Sequence, residues 1–156
     1  MSIAYDSDEP ERVSALFRTI VDALPYYNER AKASAISNYS AGRLRQSAST
    51  DSSSILVARF DTSLVGFAIS NLDDETIWLS WFGVDPVYRR RGIGDRLLQA
   101  LDQRALLTGT HKLWCDSRTD NAESKAILAG NGFRQICTIP DHWYRQDFIL
   151  WEKRVG

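Results

Sequence analysis

Between Thr76 and Val84 the chain reads Thr-Ile-Trp-Leu-Ser-Trp-Phe-Gly-Val, with Ile77, Leu79 and Trp81 alternating with Trp78, Phe82 and Val84. A strand points successive side chains to opposite faces, so this one is apolar on both and has to be covered on both. That demands a sheet with helices on either side of it. Two more β-rich runs precede it, Ile55 to Phe60 and Leu64 to Ser70, separated by polar turns at Asp61 to Ser63 and Asn71 to Glu75. Such short turns predict an antiparallel meander with Thr76–Val84 as its central strand.

The flanking segments supply the helices. Val13, Leu16, Phe17, Ile20, Val21 and Leu24 recur at helical spacing between Pro10 and Pro25, an amphipathic helix with its stop signal in place. A second helix is expected to start after Asn28 and to run through Ile36, Tyr39 and Leu44, with Asn28 as its cap. Ser47 to Ser54 is almost all Ser, Thr and Asp and reads as a connecting loop, because these side chains compete for nearby backbone groups. Downstream, Leu97, Leu98, Leu101 and Ala105 mark a helix from about Gly92 to Leu107 ended by Thr108-Gly109. A strand at Lys112 to Cys115, a short helix at Ala122 to Ala129 and strands near Phe133 to Ile139 and Asp147 to Lys153 complete the order. The pattern, helices first and then βββ-α-β-α-ββ, predicts an α/β fold built on a single mixed, mostly antiparallel sheet with helices on both faces.

The chain has 156 residues, 44% of them apolar and 25% charged, enough for one domain that buries roughly two-thirds of its unfolded surface. We therefore read 1–156 as a single domain, with a helical segment and Ser-rich connector over 1–54 and a core over 55–156. Lys plus Arg number 19 against 20 Asp plus Glu, a net charge of −1. That balance argues against nucleic acid as a partner, since phosphate neutralisation needs a basic excess. The two cysteines, Cys115 and Cys137, sit among apolar neighbours without ligand spacing, so reduced core thiols and no metal are expected. Met1 to Glu9 carries acids and lacks the basic start of a secretory leader, and no stretch has membrane-spanning length. A cytoplasmic protein with no membrane association is the expectation.

The segment Asp85-Pro86-Val87-Tyr88-Arg89-Arg90-Arg91-Gly92-Ile93-Gly94 joins the central strand to the long helix. A helix start exposes several N–H groups without intrahelical partners, and its dipole adds roughly half a positive charge there. Such an end binds phosphate. Gly92 and Gly94 remove Cβ atoms that would hold phosphate oxygens away, and Arg89, Arg90 and Arg91 add charge around the same point. Pyrophosphate suits this turn. A Walker loop is excluded because no Gly-Lys pair follows, and a dinucleotide fingerprint because Leu97 stands where its third glycine belongs.

Arg89-x-x-Gly92-x-Gly94, preceded by Val84-x-Pro86, instead resembles the acyl-CoA pyrophosphate loop of the GNAT superfamily of N-acetyltransferases. The resemblance extends over roughly 55–155. It takes in Asn121-x-x-Ser124 with Leu128 and Gly132-Phe133, and a closing strand from Trp143 to Lys153. It implies a GNAT-like acyl-CoA N-acyltransferase fold and acetyl-CoA as acyl donor, with direct attack of a primary amine on the thioester. It further implies that the fourth and fifth strands splay, so that pantetheine adds to the edge at Phe82, Gly83 and Val84, with a β-bulge expected at Gly83. A backbone N–H there would stabilise the oxyanion. The loop from Arg89 through Ile93 to Asp95 would hold the pyrophosphate, and Asn121, Ser124 and Lys125 would border the cleft. Asn121 and Ser124 also have a plain use as helix caps.

Two departures from the family pattern concern catalysis. Leu128 stands where many members carry a tyrosine general acid, and the strand Thr76–Val84 holds no acid to serve as base. Tyr144, then Tyr88, are the substitutes for the acid; Glu75 beside Asp73 and Asp74 is the nearest base, with Asp147 and His142 farther along the chain. Trp143 is the tryptophan expected to touch a ligand. The acceptor is read as a small amine or a peptide N-terminus, and homodimers are common among similar proteins. A second hypothesis is an acyl-CoA-binding regulatory module with little transferase activity.

Overall fold

The computed structural model describes residues 1–5 and 9–156; residues 6–8, part of the acidic N-terminal stretch, lie outside the described residues. Strand β1 (Ser2–Tyr5) opens the chain, followed by helices α1 (Pro10–Asp22), α2 (Glu29–Asn38) and α3 (Ala41–Thr50). The meander is β2 (Ile55–Phe60), β3 (Ser63–Asp73) and β4 (Thr76–Val84). Then come α4 (Ile93–Thr108), β5 (Lys112–Arg118), α5 (Ala122–Gly130), β6 (Arg134–Ile139) and β7 (Phe148–Arg154). The strands form one seven-stranded sheet in the order β1-β2-β3-β4-β5-β7-β6. Among the described residues only the β4–β5 pairing is parallel, as expected of a mixed, mostly antiparallel sheet.

Each face of the sheet is sealed by its own core. On one side α4 and α5 bury Ile93, Leu97, Leu101 and Leu128 against Leu56, Leu79 and Leu113. On the other, α1 and α3 bury Val13, Phe17, Ile20 and Leu44 against Val57 and Phe67. Covering an aromatic as fully as Phe17 or Phe67 stabilises the fold by roughly 1.5–3 kcal/mol per side chain. The sheet is therefore the shared wall of two cores, as the two-faced apolar strand requires.

The meander, the long helix and the last four elements fall where the sequence predicts them. The N-terminal region departs from prediction in three ways. β1 precedes the helices and pairs with β2. The expected second helix is two, broken at Tyr39, with Asn28 capping α2 through Ala31 N and Ser40 capping α3 through Arg43 N. The Ser-rich stretch is helical as far as Thr50: Ser49 and Thr50 turn their hydroxyls back onto the Gln46 carbonyl, while Leu44 and Ala48 are buried. Side chains that compete with a helix when free are satisfied inside it here.

Among the described residues no helix is long and apolar enough to cross a membrane, and no cluster of His, Cys, Asp or Glu could hold a metal. Cys115 is buried and its thiol is pushed up by burial. Cys137 is exposed on the edge strand β6, which corrects the expectation of a core thiol.

Candidate active site

The site begins with a failure of pairing. β4 and β5 are bonded only at Thr76↔Lys112, Ile77↔Leu113 and Trp78↔Trp114, after which the two strands diverge. A bulge opens β4 at this level: Ile69 faces Trp81 while Ser70 faces Leu79, so Ser80 is the extra residue. The bulge is thus at Ser80 and not at Gly83, which pairs regularly with Phe67. One added residue inverts the alternation beyond it. Ile77 and Leu79 lie in the α4 core, whereas Trp81 crosses to the α1 side and packs on Phe17 and Tyr27, with ring centroids 4.8 and 5.9 Å apart. Gly83 faces the same side, where an added Cβ would come within 2.8 Å of Ile20 Cδ1. Its lack of a side chain serves this approach of α1.

The divergence leaves a cleft of about 850 Å³, within the usual range for small-molecule sites. Its lining runs from Trp81, Phe82, Gly83 and Val84 along β4, through Arg89, Arg90, Gly92, Ile93, Gly94 and Asp95, to Asn121 and Ser124 on the facing wall. Tyr26 and Tyr27 from the α1–α2 connector, with Asp116 and Arg118 from β5, complete the lining.

At the end formed by the Arg89–Gly94 turn, Gly92 is left-handed (φ 73°) and caps α4 with no side chain on the first N–H groups. Arg90 is also left-handed at φ 62°. Gly94 has a packing reason: a Cβ there would stand 2.4 Å from Ile127 Cδ1, so α4 and α5 close together because it is glycine. Arg89 lies in the cleft, its Nε donating to the Val84 carbonyl at 3.3 Å and its Nη1 to Glu123 at 3.4 Å. Arg91 is not part of the lining; its guanidinium sits 5.4 Å over the Tyr88 ring. Asp95 lines the cleft but accepts from Asn131 at 2.8 Å, tying the end of α5 to α4. Asn121 caps α5, accepting from Ser124 N at 3.0 Å and donating to Ser124 Oγ at 2.8 Å. Lys125 reaches back to the Thr119 carbonyl at 3.0 Å and does not line the cleft. The open helix end, its basic surround and the cleft volume fit a group the size of CoA.

The catalytic candidates fare differently. Glu75 is at the start of β4, beside His111 at 4.0 Å and highly exposed, whereas the cleft is at the other end of the strand. The lining of the cleft begins at Leu79, four residues farther along, so neither Glu75 nor its neighbours Asp73 and Asp74 line it. Tyr144 has its hydroxyl bonded to Ser34 on α2 and its carbonyl accepting from Asn28 at 3.4 Å. It docks the β6–β7 loop onto α2 and does not line the cleft. Asp147 holds the same loop by accepting from Asp141 N at 2.8 Å. Leu128 is buried in the α4 core and offers no hydroxyl.

The acid the sequence reading missed is Asp116. It lines the cleft on β5, burial raises its carboxyl above the usual range, and the nearby Trp143 and His142 oppose that rise only in part. Tyr27 beside it, and Tyr26 nearer Asp120 and Glu123, are also raised by burial, Tyr26 to about 12. The sequence reading ends this strand at Cys115, but it runs on to Arg118; because β5 is parallel to β4 its C-terminal end reaches the same edge of the sheet as Val84, with Asp116 and Arg118 on one face.

The sequence model of the acetyltransferase (GNAT) family matches residues 16–133. Among curated proteins, the [ribosomal protein bS18]-alanine N-acetyltransferase of Salmonella typhimurium is 34% identical over 86 residues, 54% of this chain and 56% of that protein. The chain thus matches little more than half the length of that relative. Among solved structures, PaiA N-acetyltransferase from Thermoplasma acidophilum in complex with coenzyme A superposes with a TM-score of 0.82 at 22% identity, covering 99% of each chain. A ribosomal-protein-alanine N-acetyltransferase from Brucella melitensis gives 0.81 at 19% identity, over 99% of this chain and all of that one. At those identities the likeness is one of fold.

Proposed function

The chain belongs to the acetyltransferase (GNAT) family, and from that premise we propose that it moves an acetyl group from acetyl-CoA to the primary amine of a peptide N-terminus, with Asp116 as general base. One observation carries the reading. The unpaired edge of β4 leads at one end to the open N-terminus of α4 and at the other to the half-buried carboxylate of Asp116.

Acetyl-CoA supplies an acetyl thioester that a neutral amine attacks without a metal. In this reading the N–H groups of Ile93, Gly94 and Asp95, with Arg89 and Arg90, hold pyrophosphate. The free backbone of Phe82 to Val84 aligns the extended arm by strand addition. Asp116 accepts the proton that the ammonium must lose before attack. Its raised carboxyl is a stronger base than an exposed one and better matched to that task. Trp81, Tyr26 and Tyr27 narrow the approach and exclude water. Leu128 offers no hydroxyl, Tyr88 remains in the cleft lining as a candidate acid, and a thiolate is a good enough leaving group to depart unassisted.

A peptide acceptor is preferred to a free small amine because the relative from Salmonella acts, by its name, on an alanine of a ribosomal protein. The test is incubation with acetyl-CoA and a short peptide beginning in alanine, followed by mass spectrometry. Acetylation confined to the α-amine is expected. Tight acetyl-CoA binding without transfer to this peptide or to any of a panel of amines would instead make the chain a binding module.

A further inference from the structure

Arg118, the last residue of β5, is nine-tenths buried in the wall of the cleft. Its Nη1 donates to the Tyr26 carbonyl and its Nη2 to the Asp120 carboxylate, both at 2.9 Å. The guanidinium carbon is 5.8 Å from the ring centroids of both Tyr26 and Phe148, within reach of cation–π attraction. Gln146 Nε2 donates to the same Tyr26 carbonyl at 3.3 Å. The α1–α2 connector, the end of β5, the turn into α5 and the start of β7 are all joined through this one side chain.

Two features separate Arg118 from ordinary packing. Its Nε is buried with no partner, so the cation is kept out of water without full compensation, where an apolar residue of similar size would avoid that cost. One of its two 2.9 Å bonds goes to the backbone of a connector that is also held by Gln146 and by ring contacts, Tyr26 against Tyr27 at 5.8 Å and Tyr27 against Trp81 at 5.9 Å. We propose that Arg118 is a positioning residue for the acceptor: it fixes the Tyr26–Tyr27 connector on the end of β5 and so sets the wall past which the amine reaches Asp116. This rests on the reading of the cleft as an acetyl-transfer site.

The test compares wild type, Arg118→Met and Arg118→Lys, using acetyl-CoA and the alanine-terminated peptide as probes. For Arg118→Met the peptide KM rises about tenfold, kcat falls by less than about threefold, and acetyl-CoA affinity by calorimetry stays within about twofold. Arg118→Lys recovers part of the loss, since an ammonium reaches one acceptor but lacks the planar fork. In Arg118→Met the amides of residues 23–28 exchange with solvent faster, a readout that needs no acceptor. Unchanged exchange there, or equal losses in peptide and acetyl-CoA binding, would overturn the proposal. If Arg118→Met does not fold, Gln146→Leu, which removes the other donor to the Tyr26 carbonyl, gives a smaller shift in the same two readouts, and no shift in either would also overturn it. A wild type that leaves the peptide unmodified would sink the functional reading, while exchange over 23–28 would still decide the role of Arg118.

Discussion

At the scale of single residues, the site turns on how β5 ends. Asp116 and Arg118 point to one face, and the first is raised by burial while the second spends its donors on the Tyr26 carbonyl and Asp120. A base works only when ionised, so raising its carboxyl moves the loss of activity to higher pH. The kcat/KM profile should fall on the acid side above the usual carboxylate range. Asp116→Asn should lower kcat/KM by roughly 10²–10³-fold and abolish that limb. A variant that keeps both rate and limb would remove Asp116 from the reaction. The sequence pointed to Glu75 and Tyr144 because they are near the motif or the final strand along the chain. Distance along the chain misled: Glu75 is at the wrong end of β4, and the Tyr144 hydroxyl is bonded to α2.

At the scale of elements, the strands, α4 and the glycine turn were legible because apolar period and turn chemistry act locally. What was not legible depends on tertiary partners. β1 has only four residues and is a strand because β2 offers it an edge. The bulge at Ser80 has no signature of its own; it is held from outside, where Asn71 Nδ2 donates to Ser80 Oγ at 2.8 Å. Just beyond it Arg104, almost wholly buried on α4, donates to the Ser70 carbonyl at 3.1 Å, to the Ser70 hydroxyl and to Asp51. Arg104 thereby joins α4, β3 and the end of α3. Arg104→Ala leaves the buried Ser70 hydroxyl and carbonyl without this donor and takes one partner from Asp51, so denaturant unfolding should show a loss of about 3 kcal/mol. A change under about 1 kcal/mol would mean that water replaces the guanidinium freely.

At the scale of the whole molecule, a net charge of −1 conceals a separation of roles. Arg89 and Arg90 border one end of the cleft and Asp116 the other, with the unpaired edge of β4 between them. The two cores let one sheet do this: α4 and α5 pack on the face that leads to the open helix N-terminus, and α1 with its connector packs on the face that carries Trp81. The central claim is that acetyl-CoA occupies this divergence with its pyrophosphate on the α4 N-terminus. Titration calorimetry of acetyl-CoA against wild type and Gly92→Asp tests it most directly, because a Cβ at Gly92 meets no neighbour within 4 Å and aspartate tolerates the left-handed backbone better than most residues. The account predicts one-to-one binding to wild type and at least about a tenfold weaker complex for the folded variant, as a carboxylate faces the phosphates. Equal affinity in the two proteins would contradict it.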